Sequence, residues 1–174
     1  MRIHPDNIEV SETKLRNLVM NEKERLLDQI YREQPHMLAS VLVLQLFGVS
    51  MEKMDFAPHI LLLIYLSMLA SDGTWLLISE DVQDANHLRV SAAMGATASA
   101  GPGIVDRAIL RFVEAHTELA LYQAVTQRLS AWLNEVEAED WDKYVMWCVF
   151  NLVECTSRPA MPEATDQSPG ERPR

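Results

Sequence analysis

The side chains best placed to do chemistry are Glu80, Asp84 and His87. Spaced i, i+4 and i+7, they fall on one face of a helix with neighbouring Cβ atoms about 6 Å apart, and two carboxylates with an imidazole form a donor set that suits a divalent metal. Glu33 and His36 have the Glu-x-x-His order of carboxylate-bridged di-iron bundles, which use two such pairs and two further glutamates. Pro35 lies inside that pair and separates two helices, and Asp84 stands where the second pair would need glutamate. The simpler expectation puts these acids on a solvated helix face. No cofactor is predicted from the residues, and a metal on Glu80, Asp84 and His87 is the alternative.

Other chemistries fare worse. Ser99 lacks the flanking glycines and the strand of a nucleophile elbow. Gly101-Pro102-Gly103 lacks the Gly-Lys-Ser/Thr of a phosphate loop, and Pro102 removes a backbone donor. Cys148 and Cys155 sit seven residues apart on one apolar helical stripe, a separation of about 10.5 Å that a disulfide does not span; buried thiols of this kind are inert. His59 and His116 lie near apolar stripes and read as hydrogen-bonded core or boundary histidines, while Glu114, His116 and Glu118 point about 200° apart in successive pairs on a helix and do not converge.

Binding surfaces remain. Leu46-Phe47-Gly48-Val49-Ser50 has the look of a helix-turn-helix corner, yet the six residues that follow, Met51 to Phe56, offer Lys53 against Glu52 and Asp55, a poor set for phosphates. Glu135, Glu137, Glu139, Asp140 and Asp142 place five carboxylates in eight residues, either a docking patch for a basic partner or helix-start acids that complement the dipole. Among the tryptophans, Trp147 falls off the stripe of Trp141, Tyr144 and Cys148 and is the interface candidate.

The elements that position these residues are helices. Pro5, Pro35, Pro58 and Pro102 stand near helix starts, and Gly48, Gly73, Gly95 and Gly101 near ends. The periodicity predicts a first helix from an Asp6-to-Glu9 capping box, with Ser11 as the competing start, through Gln34 on the stripe Ile8, Leu15, Val19, Leu26, Ile30. A buried helix follows over 36–47, a third from Ser50 or Asp55 to about Ser71, and a fourth from Ser79-Glu80-Asp81 to Met94. Residues 105–116 mark a fifth, 119–136 continue the period, and 139–156 form the last. Residues 95–103 read as a flexible linker and 157–174 as a disordered tail.

Composition sets the class: 174 residues, 48% hydrophobic and 23% charged, match one globular domain. The expectation is an all-α bundle of six or seven helices over 1–156, in halves of about 6–94 and 104–156. The start of the chain lacks a signal-peptide core, and Ile60 to Ala70 spans only about 16 Å as a helix, so a cytoplasmic, non-membrane protein is expected. The net charge of −10 disfavours nucleic acid and favours basic or neutral partners, a basic protein among them; a homo-oligomer is compatible with it. The leading expectation is a non-enzymatic interaction or regulatory module. The alternatives are a metal-binding bundle enzyme or carrier, a helix-turn-helix DNA-binding regulator, and a carrier with a cavity among the apolar side chains of the second and third helices.

Overall fold

The computed structural model describes residues 3–71, 75–98 and 116–157, and there the chain is all-α, with no strand among the described residues. Helix α1 spans Pro5–Asn17, α2 Met20–Glu33 and α3 Pro35–Leu42; α3 tightens into a 3-10 turn, Val43–Phe47. Helix α4 is a single turn, Met51–Met54, followed by α5, Phe56–Ala70, and α6, Glu80–Ala98. Two further helices, α7 (Leu119–Glu135) and α8 (Asp142–Ser157), complete the described bundle.

Helix α5 is the axis of the fold. Every residue from Ile60 to Met68 is buried, and a helix apolar on all sides has to be wrapped by others. Helices α1, α2, α3, α7 and α8 pack around it. Each fully buried leucine or isoleucine there contributes about 1.5–3 kcal/mol of transfer free energy, which makes this segment the chief source of cohesion. The stretch Met51–Ala70 is long and apolar enough by length and composition to cross a bilayer, but it is 67% buried inside the bundle.

Several boundaries differ from those expected. The single helix predicted from Asp6 to Gln34 is two, because Leu18 and Val19 take extended backbone conformations. The Glu22 carboxylate accepts the Val19 N–H at 3.0 Å and restarts the helix, and Val19, assigned to the stripe by periodicity, is 60% exposed. At the first helix, Pro5 rather than Asp6 opens the turn, and Asn7 Oδ1 accepts the His4 N–H at 2.9 Å. Asn7 Nδ2 also donates to the Ala70 carbonyl, tying the start of α1 to the end of α5.

Pro35 acts as expected. The residue before a proline disfavours helical backbone, so Gln34 leaves α2 with φ −140° and its buried side chain turns to the segment 75–79. Gln34 Nε2 donates to the Leu76 carbonyl and Gln34 Oε1 accepts the Ile78 N–H, both at 2.9 Å. Gly48 ends the 3-10 turn at φ +87°, and a Cβ there would also lie 3.5 Å from the Trp141 ring. The expected linker starts too early: residues 95–98 continue α6, and 99–103 lie outside the described residues, as do 105–115 of the expected fifth helix and 158–174 of the expected tail. His116 to Glu118 form a turn leading into α7 rather than helix.

Candidate functional site

Three helical stripes face one another across a groove of about 530 Å³. Helix α3 and its 3-10 extension contribute His36, Ser40, Val43 and Phe47; α6 contributes Glu80, Gln83, Asp84 and His87; α8 contributes Tyr144, Trp147, Cys148 and Asn151. Each set is spaced at three, four, seven or eleven residues from its first member, so each lies on one face of its helix. The volume falls within the range of about 300–1,000 Å³ typical of ligand sites.

The groove is aromatic on one side and polar on the other. Phe47 and Tyr144 stack at 5.0 Å between centroids. Trp147 meets Tyr144 edge-on at 5.5 Å and His87 edge-on at 6.0 Å. At the floor, Gln83 and Asn151 are 7% and 5% exposed, and Gln83 Nε2 and Asn151 Oδ1 have no hydrogen-bond partner. Buried amide atoms without partners are rare, because each forfeits a hydrogen bond it had in water. Cys148, also on the lining, donates to the Ser40 carbonyl at 3.4 Å; burial pushes its thiol up to about 12. Cys155 is pushed to about 11 for the same reason, so neither thiol is a nucleophile at neutral pH.

The metal expectation finds a shared wall without convergent donors. Glu80, Asp84 and His87 all line the groove, but their stripe runs along about 10.5 Å of helix axis, and among the described residues no group of three or more His, Cys, Asp or Glu side chains is arranged to hold a metal ion. Glu33 and His36 part company: His36 faces the groove, whereas the Glu33 carboxylate accepts from Tyr65 Oη and Gln29 Nε2. The Tyr65 and Gln29 hydrogen bonds hold the Glu33 carboxyl below its ordinary value.

The acidic run divides. Glu135, Glu137 and Asp140 are exposed, but Asp142 is buried and grips the buried ammonium of Lys53 at 2.7 Å. Glu139 lies 3.3 Å from the same nitrogen, and the Glu137 carbonyl accepts from it at 2.5 Å. Asp142 Oδ2 also accepts the Glu139 N–H at 2.8 Å, opening α8. The five acids therefore divide: Asp142 is turned inward onto Lys53, while Glu135, Glu137, Asp140 and the Glu139 side chain reach solvent. Burial pulls the Lys53 pKa down, but hydrogen bonds and charge from Asp142 and Glu139 outweigh it and leave the value raised. The cation expected to lead a DNA-reading helix therefore faces the protein interior, and the helix after the Gly48 turn is only the four residues of α4.

A second buried polar cluster was not foreseen. His116 Nε2 pairs with Glu154 at 2.8 Å, with both side chains nearly inaccessible. Glu118 Oε2 accepts the Ile3 N–H at 2.6 Å, and the Glu118 N–H donates to His116 Nδ1. Of the core and boundary positions expected of a hydrogen-bonded His116, its side chain takes the core one, with an acid of α8 as its partner. Gln83 and Asn151 were also missed: Asn151 is a polar residue in an otherwise apolar stretch of α8, whereas Gln83 stands among the acids of α6 and carries no such signal.

Compared with known proteins, the chain matches no family model, no curated protein and no solved structure.

Proposed function

We propose that this protein is a non-enzymatic recognition module that binds a segment of a protein partner in the groove between α3, α6 and α8. The observation that carries this reading is the continuity of the groove with exposed apolar surface. Phe47 stacks on Tyr144, and Tyr144 in turn lies 6.1 Å from Trp141. Phe47 and Trp141 are 46% and 45% exposed, and Leu46 and Met51, next to and four residues from Phe47 in sequence, 84% and 70%. A row of large exposed apolar side chains leading into a concave site is the surface of an interaction site rather than of a solvated helix. Aromatic anchors beside polar groups suit the hot spot of a protein interface, and thiols held near 12 and 11 offer no nucleophile.

Selection from a displayed random-peptide library tests the proposal. Selected peptides are expected to bind the wild type, to lose binding to Trp147→Ala and Phe47→Ala, and to retain it with Tyr31→Ala, a change at an exposed residue outside the groove lining. A library that yields no binder, or binders indifferent to Trp147 and Phe47, overturns the proposal.

A further inference from the structure

We infer that the groove receives a cationic side chain, an ammonium or guanidinium on an apolar stem, carried by a basic segment of the partner. This rests on the reading of the groove as a peptide site and adds the chemistry of the group it takes. Among the described residues, the lining holds Glu80 and Asp84 and no lysine or arginine. The lining carboxylates therefore give it a negative local charge, within a chain of net charge −10, which disfavours an anionic group even with Lys143 Nζ over the Tyr144 ring.

The aromatic wall adds a specific attraction. Ring faces carry negative potential, and a cation within about 6 Å of a centroid gains about 0.5–2 kcal/mol. This wall already holds one: Lys143 Nζ sits 5.2 Å over the Tyr144 ring. Phe47 occupies another part of that ring's surroundings by stacking, and Trp147, half-buried between Tyr144 and His87, lies on the carboxylate side of the groove. An incoming cation thus meets Trp147 with Asp84 and Glu80 on the adjacent helix.

The floor supplies the second, independent observation. Gln83 Nε2 and Asn151 Oδ1 are buried and unpartnered, one a donor and one an acceptor. An amide turns about its terminal torsion at little cost, so Asn151 can present its carbonyl to an ammonium and Gln83 its NH2 to a peptide carbonyl. Both atoms are closed off from solvent, so each gains a partner only when its amide turns to meet a cation carried on a peptide backbone, a pairing that neither a hydrocarbon nor an isolated inorganic cation provides.

Titration followed by NMR at the Trp147 indole N–H and the His87 ring separates the possibilities, using the Nα-acetyl methylamides of lysine, arginine, norleucine and glutamate. Lysine and arginine are expected to shift these signals saturably, and norleucine, of similar length without charge, to bind at least about threefold more weakly. The exposed double change Glu80→Gln with Asp84→Asn should erase most of that difference while leaving the fold intact. Norleucine binding as well as lysine, glutamate binding best, or discrimination unchanged in the double variant would each overturn the inference. The two readings fail separately. A library yielding neutral or acidic peptides that need Trp147 keeps the peptide site and removes the cation; lysine amide binding with no selectable peptide does the reverse.

Discussion

Two regions touching α8 treat polar groups in opposite ways. Around Lys53, at the start of the helix, the buried charge is surrounded by acceptors: Asp142, Glu139 and the Glu137 carbonyl all reach its nitrogen. Along the groove lined by Tyr144, Trp147, Cys148 and Asn151, two buried amides are left with atoms that bond to nothing. A satisfied buried charge fixes one arrangement of the chain, because removing either partner strands the other. An unsatisfied buried amide holds a hydrogen bond in reserve, at a standing cost to the folded state. The contrast marks the first region as architecture and the second as a place for something to bind.

The largest effect should come from breaking the lock. Asp142→Ala leaves the Lys53 ammonium buried with Glu139 as its remaining carboxylate, and a cost of about 3 kcal/mol is expected in urea unfolding. The paired change Lys53→Met with Asp142→Leu, which removes both charges, should fall within about 1 kcal/mol of wild type. The pH dependence has a definite sign. Because the folded-state pKa of Lys53 is raised above its ordinary 10.5, the stability it contributes is fully present below that value and is lost as pH rises through the folded-state value. The stability of the wild type relative to the paired variant should therefore fall as pH rises above 10.5. An Asp142→Ala protein as stable as wild type would show that the lock is not architectural.

This same region shows where the sequence was legible. Helix existence, the Pro35 boundary and the buried run of α5 follow from local rules, since proline geometry and hydrophobic period act within a few residues. The shared face of Glu80, Asp84 and His87 was legible for the same reason, but the tryptophans of α8 were not: Trp141, read on the core stripe, is 45% exposed, and Trp147, read as departing from it, packs against the core. The Lys53–Asp142 pair spans 89 positions, and no periodicity announces a contact at that separation. The α1–α2 break was hidden because Val19 keeps the apolar period while standing in solvent. Opposing stripes can be read one at a time, but the groove exists only because α3, α6 and α8 meet.

A middle-sized effect compares two glutamines. Gln34 is buried with both ends of its amide engaged, to Leu76 and Ile78. Gln34→Leu strands the Ile78 N–H, which is expected to cost about 1–3 kcal/mol and to speed hydrogen exchange at Ile78. A neutral outcome would mean that residues 75–79 are held by something other than this side chain.

Gln83→Leu and Asn151→Leu should do the least to stability and the most to sharpen the contrast. Each replaces an amide that has an unbonded buried atom with an apolar side chain of similar volume, so the desolvation cost disappears and little is lost in return. Unfolding free energies are expected to stay within about 0.5 kcal/mol of wild type or to rise by up to about 1 kcal/mol. Groove-binding peptides should nevertheless bind these variants several-fold more weakly, since the reserved hydrogen bonds are gone. That pairing, unchanged or greater stability with weaker binding, is what a site kept unsatisfied for a ligand requires. If instead both substitutions destabilise the protein by as much as Gln34→Leu, the amides are structural like Gln34, and the two regions along α8 do not differ in kind.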